Sequence, residues 1–152
     1  MKDVINGFFE EAERLQALAE EQRSKAAAIL TPLFDLQHRL AWFVHCEPEF
    51  KELEKWYRKP RDRFATNANR QHSYYTFDGS FYDLCEWSDG DSADSIELHP
   101  IFLTDASEEE KKEVIRQAYR ADIAAVENQK QRAKEAELEK ARKLLAENGV
   151  SF

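Results

Sequence analysis

The strongest constraint on the fold is a repeat at the start of the chain, where apolar residues recur at alternating spacings of four and three. The spacing continues for about six heptads, and the only polar member is Gln22. Such a repeat lines one face of an α-helix and is typical of a helix that packs against another helix. We therefore predict one long helix over residues 1–46. The positions of this N-terminal seam are Met1, Ile5, Phe8, Ala12, Leu15, Ala19, Gln22, Ala26, Ile29, Leu33, Leu36, Leu40 and Phe43.

Pro32 lies inside the seam, yet the spacing runs from Ile29 to Leu33 and Leu36 without a change of phase. A proline in a helix interior removes a hydrogen bond and usually bends the helix. The unbroken phase favours a kinked helix. The alternative is a break with a new helix beginning at Pro32, because proline is well tolerated at the first helical position.

A second long helix is predicted over residues 107–147. Ser107 is followed three residues later by Glu110, which is the pattern of a capping box. Asn148 and Gly149 follow the last apolar position, as is common where a helix ends. The apolar pattern of this helix thins after about residue 126.

Charge suggests how the two helices are arranged. Residues 1–24 carry six acids and three bases, whereas residues 130–143 carry six bases and three acids. These segments would face each other if the helices formed an antiparallel pair. We therefore predict that the N- and C-terminal helices are antiparallel.

The chain between these helices contains a predicted short helix and a predicted sheet. Pro48 begins a short apolar pattern that ends before Pro60, which favours a helix over residues 47–59. The following segment, HSYYTFDGSFYDLCEW, has two aromatic runs around Asp-Gly, a pair that suits a two-residue hairpin turn. Pairing across that turn sets Tyr75 beside Tyr82 on the face expected to point inward. IELHPIFL is predicted to be a third strand, so that the small antiparallel sheet spans residues 71–103.

These elements define the predicted fold class. It is α+β, with two long antiparallel helices (N- and C-terminal) and, between them, a short helix and a small antiparallel β-sheet made of a hairpin plus a third strand. A length of 152 residues fits a single domain.

No apolar run approaches the roughly 18 residues that a membrane span needs, and the acidic start does not resemble a signal peptide. We expect a cytoplasmic protein in which Cys46 and Cys85 are buried free thiols.

Positive charge is concentrated in residues 55–70, which hold six bases and one acid in a chain of net charge −8. Aromatic residues interleaved with cations can fill a partner's pocket or stack on bases. Equally, the aromatic residues could belong to the core and the cations could pair with acids of the same chain. The candidate partner-binding residues of this basic segment are Trp56, Tyr57, Arg58, Lys59, Arg61 and Arg63.

Negative charge is concentrated in residues 83–113, with eleven acids against two lysines. This acidic stretch could steer a basic partner or simply solubilise a loop. Asp89, Asp91 and Asp94 are its candidate partner-binding residues. They do not form an EF-hand loop, because Ala93 occupies the fifth position, so a cation site there is only an alternative.

No catalytic residue, metal site or cofactor is predicted. The histidines and cysteines lack ligand spacing, and His72 opposite Cys85 in the predicted hairpin is the closest pair. Phosphate-binding loops and nucleophile motifs are absent from the sequence. An enzyme is therefore disfavoured.

The sequence favours a non-catalytic protein–protein interaction module. Such an adaptor or inhibitor would present separate basic and acidic surfaces to a protein partner, for example a machine that processes nucleic acid. One alternative is a nucleic-acid or nucleotide-binding protein that uses the basic segment. Another is a structural homodimer of coiled-coil type, built through the long helices.

Overall fold

The computed structural model describes residues 1–51, 64, 73–87 and 93–149. Within these ranges, the chain forms two long helices and a three-stranded antiparallel sheet whose strands are adjacent in chain order, which confirms the α+β class. The elements are helix α1 (Lys2–His45), the 3-10 helix η1 (Pro48–Phe50), strands β1 (Ser73–Phe77), β2 (Tyr82–Trp87) and β3 (Ala93–Glu97), the 3-10 helix η2 (Pro100–Leu103) and helix α2 (Glu108–Glu147).

Helix α1 runs through Pro32 without interruption, so the alternative of a break there is wrong. Its core-facing side includes Leu40 of the predicted seam, and Leu33 and Leu36 pack partly buried against the core, but the most buried row lies one residue later than the seam. Ile29 and Phe43 of that seam are 68% and 51% exposed. The shift arises because this part of α1 carries apolar residues in two adjacent rows, so the period alone does not identify the buried one. The buried residues of α1 are Leu30, Phe34, Gln37, Leu40, Ala41, Val44 and His45.

The hydrophobic core occupies the second half of α1, the beginning of α2 and the inner face of the sheet. Tyr119 of α2 lies at its centre, with its ring edge-on to Phe50 at 5.5 Å and to Phe64 at 5.9 Å. Its hydroxyl donates a hydrogen bond to the carbonyl of Ala41 (3.4 Å). The buried apolar residues are Leu30, Phe34, Leu40, Ala41, Val44, Phe50, Phe64, Leu84, Ile96, Leu98, Phe102, Ile115 and Tyr119.

A fully buried polar side chain, Gln37, joins α1 to the end of β3. Its Nε2 donates to the carbonyls of Glu97 (3.0 Å) and Phe64 (3.4 Å). Its Oε1 accepts from the backbone N–H of His99 (2.9 Å). Both ends of the amide are thus bonded, which offsets the cost of burying it.

The hairpin turn is longer than predicted. Phe77 lies opposite Tyr82, so the connection has four residues and the two-residue turn is wrong. The reason is local: the Asp78 carboxylate accepts hydrogen bonds from the backbone N–H groups of Ser80 and Phe81, both at 2.8 Å. This side-chain cap stabilises the wider loop.

The predicted inward orientation of Tyr75 is confirmed. The wider turn moves the register by two residues, and a shift by two leaves each residue on the same face of the sheet. Tyr75 lies opposite Leu84 and packs against the core, and its hydroxyl lies 2.7 Å from Thr31 Oγ1. The new register pairs Cys85 with Tyr74, so the predicted pairing of Cys85 with His72 is wrong.

Two boundaries in the middle of the chain also differ from prediction. The third strand is Ala93–Glu97, and the last four residues of the predicted strand, Pro100–Leu103, form η2 instead. Pro100 favours a helical turn there, and His99 Nδ1 accepts a hydrogen bond from the N–H of Ile101 (3.2 Å). Of the predicted short helix over residues 47–59, the described part forms only the single turn η1.

The two long helices run in the same direction where they touch. Arg39 pairs with Glu108, Phe43 contacts Lys112, and Glu47 pairs with Arg116, so that residue numbers rise together along both helices. The predicted antiparallel arrangement is therefore wrong. A short connection would force two helices to be antiparallel, but here the connection includes three strands, which return the chain to the end where α2 must begin.

The helices are parallel and touch over only part of their length. The part of α1 before the contact therefore extends away from the core in one direction, and the part of α2 after the contact extends in the opposite direction. We call residues 2–26 the N-terminal arm and residues 127–147 the C-terminal arm; every residue in both is exposed. At the α-helical rise they are about 38 Å and about 32 Å long. The oppositely charged segments 1–24 and 130–143 consequently lie at opposite ends of the molecule, and their predicted contact is wrong.

Candidate interaction surfaces

Most of the predicted site residues cannot be placed. Trp56, Tyr57, Arg58, Lys59, Arg61, Arg63, Asp89 and Asp91 lie outside the described residues. Asp94 lies in β3, where its backbone pairs with Glu86. Phe64 is the one described residue of the basic segment, and it is buried in the core, as one of the two interpretations of that segment expected.

The N-terminal arm carries an apolar stripe. Phe8 and Phe9 are 72% and 67% exposed, and the exposure of the other members ranges from 46% to 61%. Along the rest of the arm, charged side chains pair locally, as in Arg14 with Glu11 (2.6 Å) and Lys25 with Glu21 (3.0 Å). Contiguous exposed apolar surface of this kind marks an interaction site in a folded protein. The members of the stripe are Val4, Ile5, Phe8, Phe9, Leu15 and Leu18.

The C-terminal arm carries a shorter apolar row, and its residues 130–143 hold six bases and three acids. Leu138 and Leu144 are 58% and 59% exposed, and Leu145 is 39% exposed. Leu138 and Ala141 also line a shallow groove on this arm, together with Lys134 and Glu137. The arm thus offers leucines flanked by long cationic side chains.

The acidic stretch 83–113 is partly engaged inside the molecule. Arg116 bonds to Glu47 (2.7 Å), Glu109 (2.7 Å) and Glu113 (3.2 Å). The hydrogen bonds from Arg116 lower the pKa of Glu47, and those carboxylates raise the pKa of Arg116. The pair with Glu47 holds α2 against the end of α1. Glu109 and Glu113, which belong to the acidic stretch, are held by Arg116 within α2 and are less available to a partner than their sequence suggests.

Glu110, another member of the acidic stretch, completes the predicted capping box, which is confirmed. Its carboxylate accepts from the Ser107 N–H (2.7 Å), and the Ser107 hydroxyl accepts from the Glu110 N–H (3.2 Å). The bond from the Ser107 backbone lowers the pKa of Glu110. This carboxylate also belongs to the fold.

Among the described side chains, no group of three or more His, Cys, Asp or Glu residues is arranged to hold a metal ion. Cys46 and Cys85 are both free thiols, as predicted, but Cys46 is exposed just after the last turn of α1 and the expectation that it is buried is wrong. Cys85 is partly buried, with its Sγ 3.6 Å from Thr76 Oγ1.

Of the interpretations of the sequence, only the homodimer alternative uses the long helices as an interaction surface. The N-terminal seam showed that the arm is apolar, but it was assigned to a contact within the chain. The sequence holds no local signal that separates a contact within the chain from a contact with another molecule, because the difference depends on where the chain returns to begin α2. Phe9, Val4 and Leu18 lie beside the seam and widen the stripe.

Within the described ranges, neither long helix combines the length and the apolar composition that crossing a membrane requires. No protein-family model, curated protein or solved structure matches the chain. The two arms are the surfaces from which a function can be inferred.

Proposed function

We propose that this protein is a non-catalytic interaction module in which a compact α+β core holds two helical arms apart for binding to protein. The observation that carries the proposal is the N-terminal arm, whose residues 2–26 are all exposed although they include an apolar stripe with two phenylalanines. The basic and acidic surfaces that the sequence predicts, at residues 55–70 and 83–113, are separate from these arms.

The physical reason is that a helix gains most of its stability from packing its apolar face. The arm has only local pairs such as Arg14 with Glu11, and exposed pairs of this type contribute little. A helical partner or a groove that covered Phe8 and its neighbours would stabilise the arm and remove apolar surface from water. An acidic arm also steers basic partners and repels acidic ones.

We place this adaptor in the cytoplasm, where the free Cys46 and Cys85 would remain reduced. The basic segment 55–70 would provide a second docking surface, through Arg58, Arg61 and Arg63. That part of the proposal is supported by sequence charge alone.

The test compares proteins captured from cell lysate by the wild type and by the variant Phe8→Glu/Leu15→Glu, which places two charges on the stripe. The matched control is Ala17→Glu/Ser24→Glu, which adds the same charges on the opposite face of the arm. We expect a specific protein that the wild type and the control retain and the stripe variant loses. Equal capture by all three, or none, would contradict the proposal for the arm, provided that circular dichroism shows each to be folded.

A further variant, Arg58→Glu/Arg61→Glu/Arg63→Glu, tests the basic segment in the same experiment. Captured protein and nucleic acid are measured in parallel. Loss of a protein partner supports a second docking surface. Loss of nucleic acid, with steep salt dependence, would instead favour the nucleic-acid-binding alternative. Unchanged capture would leave the arm as the docking element.

A further inference from the structure

We infer that the arms are covered by a second copy of this chain, in a two-fold dimer that lays the N-terminal arm of each copy on the C-terminal arm of its partner. This inference rests on the proposed function, because it identifies one occupant of the exposed arms. It follows from the direction of the helices, the distribution of charge and the amount of exposed apolar surface.

The direction of the helices makes the arms geometrically complementary. Leu15 lies 28 residues before Phe43, and Lys140 lies 28 residues after Lys112, the residue that contacts Phe43. Both positions are thus about 42 Å from that contact, on opposite sides. A two-fold rotation perpendicular to the helices reverses one copy, so the N-terminal arm of each comes beside the C-terminal arm of the other, antiparallel to it.

Charge selects this pairing over the others. Residues 1–24 have six acids and three bases, and residues 130–143 have six bases and three acids. In the proposed dimer these segments lie side by side in both arm pairs. A dimer that joined two N-terminal arms, or two C-terminal arms, would place like charges together, which is unfavourable. The contact that the sequence predicts within one chain is thus made between two chains.

The exposed apolar surface is of the size that a stable dimer needs. Each side chain of this kind has about 60–120 Å² to bury, so the exposed parts of the nine involved amount to about 450 Å² per chain. A stable interface buries about 800 Å² per partner, of which somewhat over half is apolar. The nine are Val4, Ile5, Phe8, Phe9, Leu15, Leu18, Leu138, Leu144 and Leu145.

The same geometry limits the assembly to two copies. Each chain contributes one N-terminal and one C-terminal arm, and in the two-fold arrangement both are used. The interface is isologous and closed, so it does not propagate into filaments.

The first test measures the mass of the purified full chain by light scattering at concentrations between about 1 and 100 μM. We expect a dimer that dissociates on dilution. Phe8→Glu/Leu15→Glu should raise the dissociation constant at least tenfold, whereas Ala17→Glu/Ser24→Glu should leave it within about twofold. A wild type that stays monomeric over the whole range would overturn the inference.

The second test determines which arms meet. In a Cys46→Ser/Cys85→Ser background, a donor dye is attached at Ala17→Cys in one preparation and an acceptor dye at Glu139→Cys in another. Mixing them should give strong energy transfer, because the N-terminal arm of one copy lies on the C-terminal arm of the other. A mixture with both dyes at Ala17→Cys should give little, since like arms are then about 80 Å apart. Strong transfer only between like arms would overturn the inference.

The outcomes separate this inference from the proposed function. If the wild type is monomeric but loses a lysate partner when the stripe is charged, the interaction module stands and the partner is another protein. If the wild type is a dimer and the stripe variant dissociates while capturing the same lysate material, the dimer stands and the stripe is not a docking surface for other proteins.

Discussion

The two halves of helix α1 share a sequence pattern and differ in environment. Residues 30–44 place an alternating apolar row against the sheet and α2, and that row is buried. Residues 2–26 repeat the same spacing, and all of them are exposed. The comparison shows that a heptad pattern specifies a face of a helix without specifying what covers it. Covering depends on which other segments the chain can bring to that face.

The largest difference should appear when the same residue type is truncated in each half. Phe34→Ala removes a ring that is 5% exposed and lies 5.5 Å from the ring of Tyr75, and it should lower the free energy of unfolding by about 3–5 kcal/mol. Phe8→Ala removes a ring that is 72% exposed, and little change is expected. Urea denaturation of dilute protein measures both. Similar losses for the two variants would mean that the arm is packed within its own chain.

A buried amide and an exposed amide of α1 provide the next comparison. Gln37→Leu leaves the carbonyl of Glu97 and the N–H of His99 without their partner, and it should cost about 2–3 kcal/mol. Gln16→Leu removes only an exposed bond to Glu20 (3.3 Å), so the free energy of unfolding should hardly change. If Gln37→Leu were neutral, the added apolar contact would outweigh the three lost bonds, and the amide would not be what fixes α1 to β3.

These contrasts explain which parts of the fold the sequence could predict. Local signals were sufficient for α1, α2 and the capping box at Ser107, because each depends on neighbouring residues. The inward face of Tyr75 also followed from local alternation, which survives a register change of two. The length of the turn did not follow, since it depends on two bonds that the Asp78 side chain makes.

The direction of the helices and the exposure of the arms could not be obtained in this way. Both depend on how many strands lie between α1 and α2 and on where the chain returns, which are long-range properties. Opposite charges on residues 1–24 and 130–143 indicated that these segments attract each other. Charge alone does not distinguish a contact within one chain from a contact between two chains, and the predicted hairpin assumed the first.

Ion pairs give a third comparison, in which a smaller effect depends on pH. Glu47 accepts hydrogen bonds from Arg116, whose side chain is only 16% exposed, and this lowers the pKa of Glu47 below its ordinary value of 4.5. The stabilisation is therefore complete above pH 4.5 and is lost as the pH falls through the lower folded pKa. Glu47→Gln should cost about 1 kcal/mol at neutral pH, and the difference from the wild type should shrink as the solution is acidified.

The arm provides the control for this ion pair. Glu11→Gln breaks the pair with Arg14, which is mostly exposed, and the unfolding midpoint should not change measurably. Denaturation curves at several pH values test both variants. A loss for Glu47→Gln that stayed constant down to the most acidic pH would show that the carboxylate acts by packing and not by its charge.

The smallest effect is expected at the boundary between the two halves of α1. Thr31 lies just after the first buried residue of the core row, and its Oγ1 is 2.7 Å from the hydroxyl of Tyr75. Thr31→Val keeps the shape and removes the bond, at a cost of about 0.5–1 kcal/mol, because the partly exposed Tyr75 hydroxyl can bond to water instead. In the double variant with Tyr75→Phe the two losses should not add, since both remove the same bond. Additive losses would mean that this hydrogen bond does not contribute to the cooperative core. The exposed arm would then extend further toward Phe34 than residues 2–26.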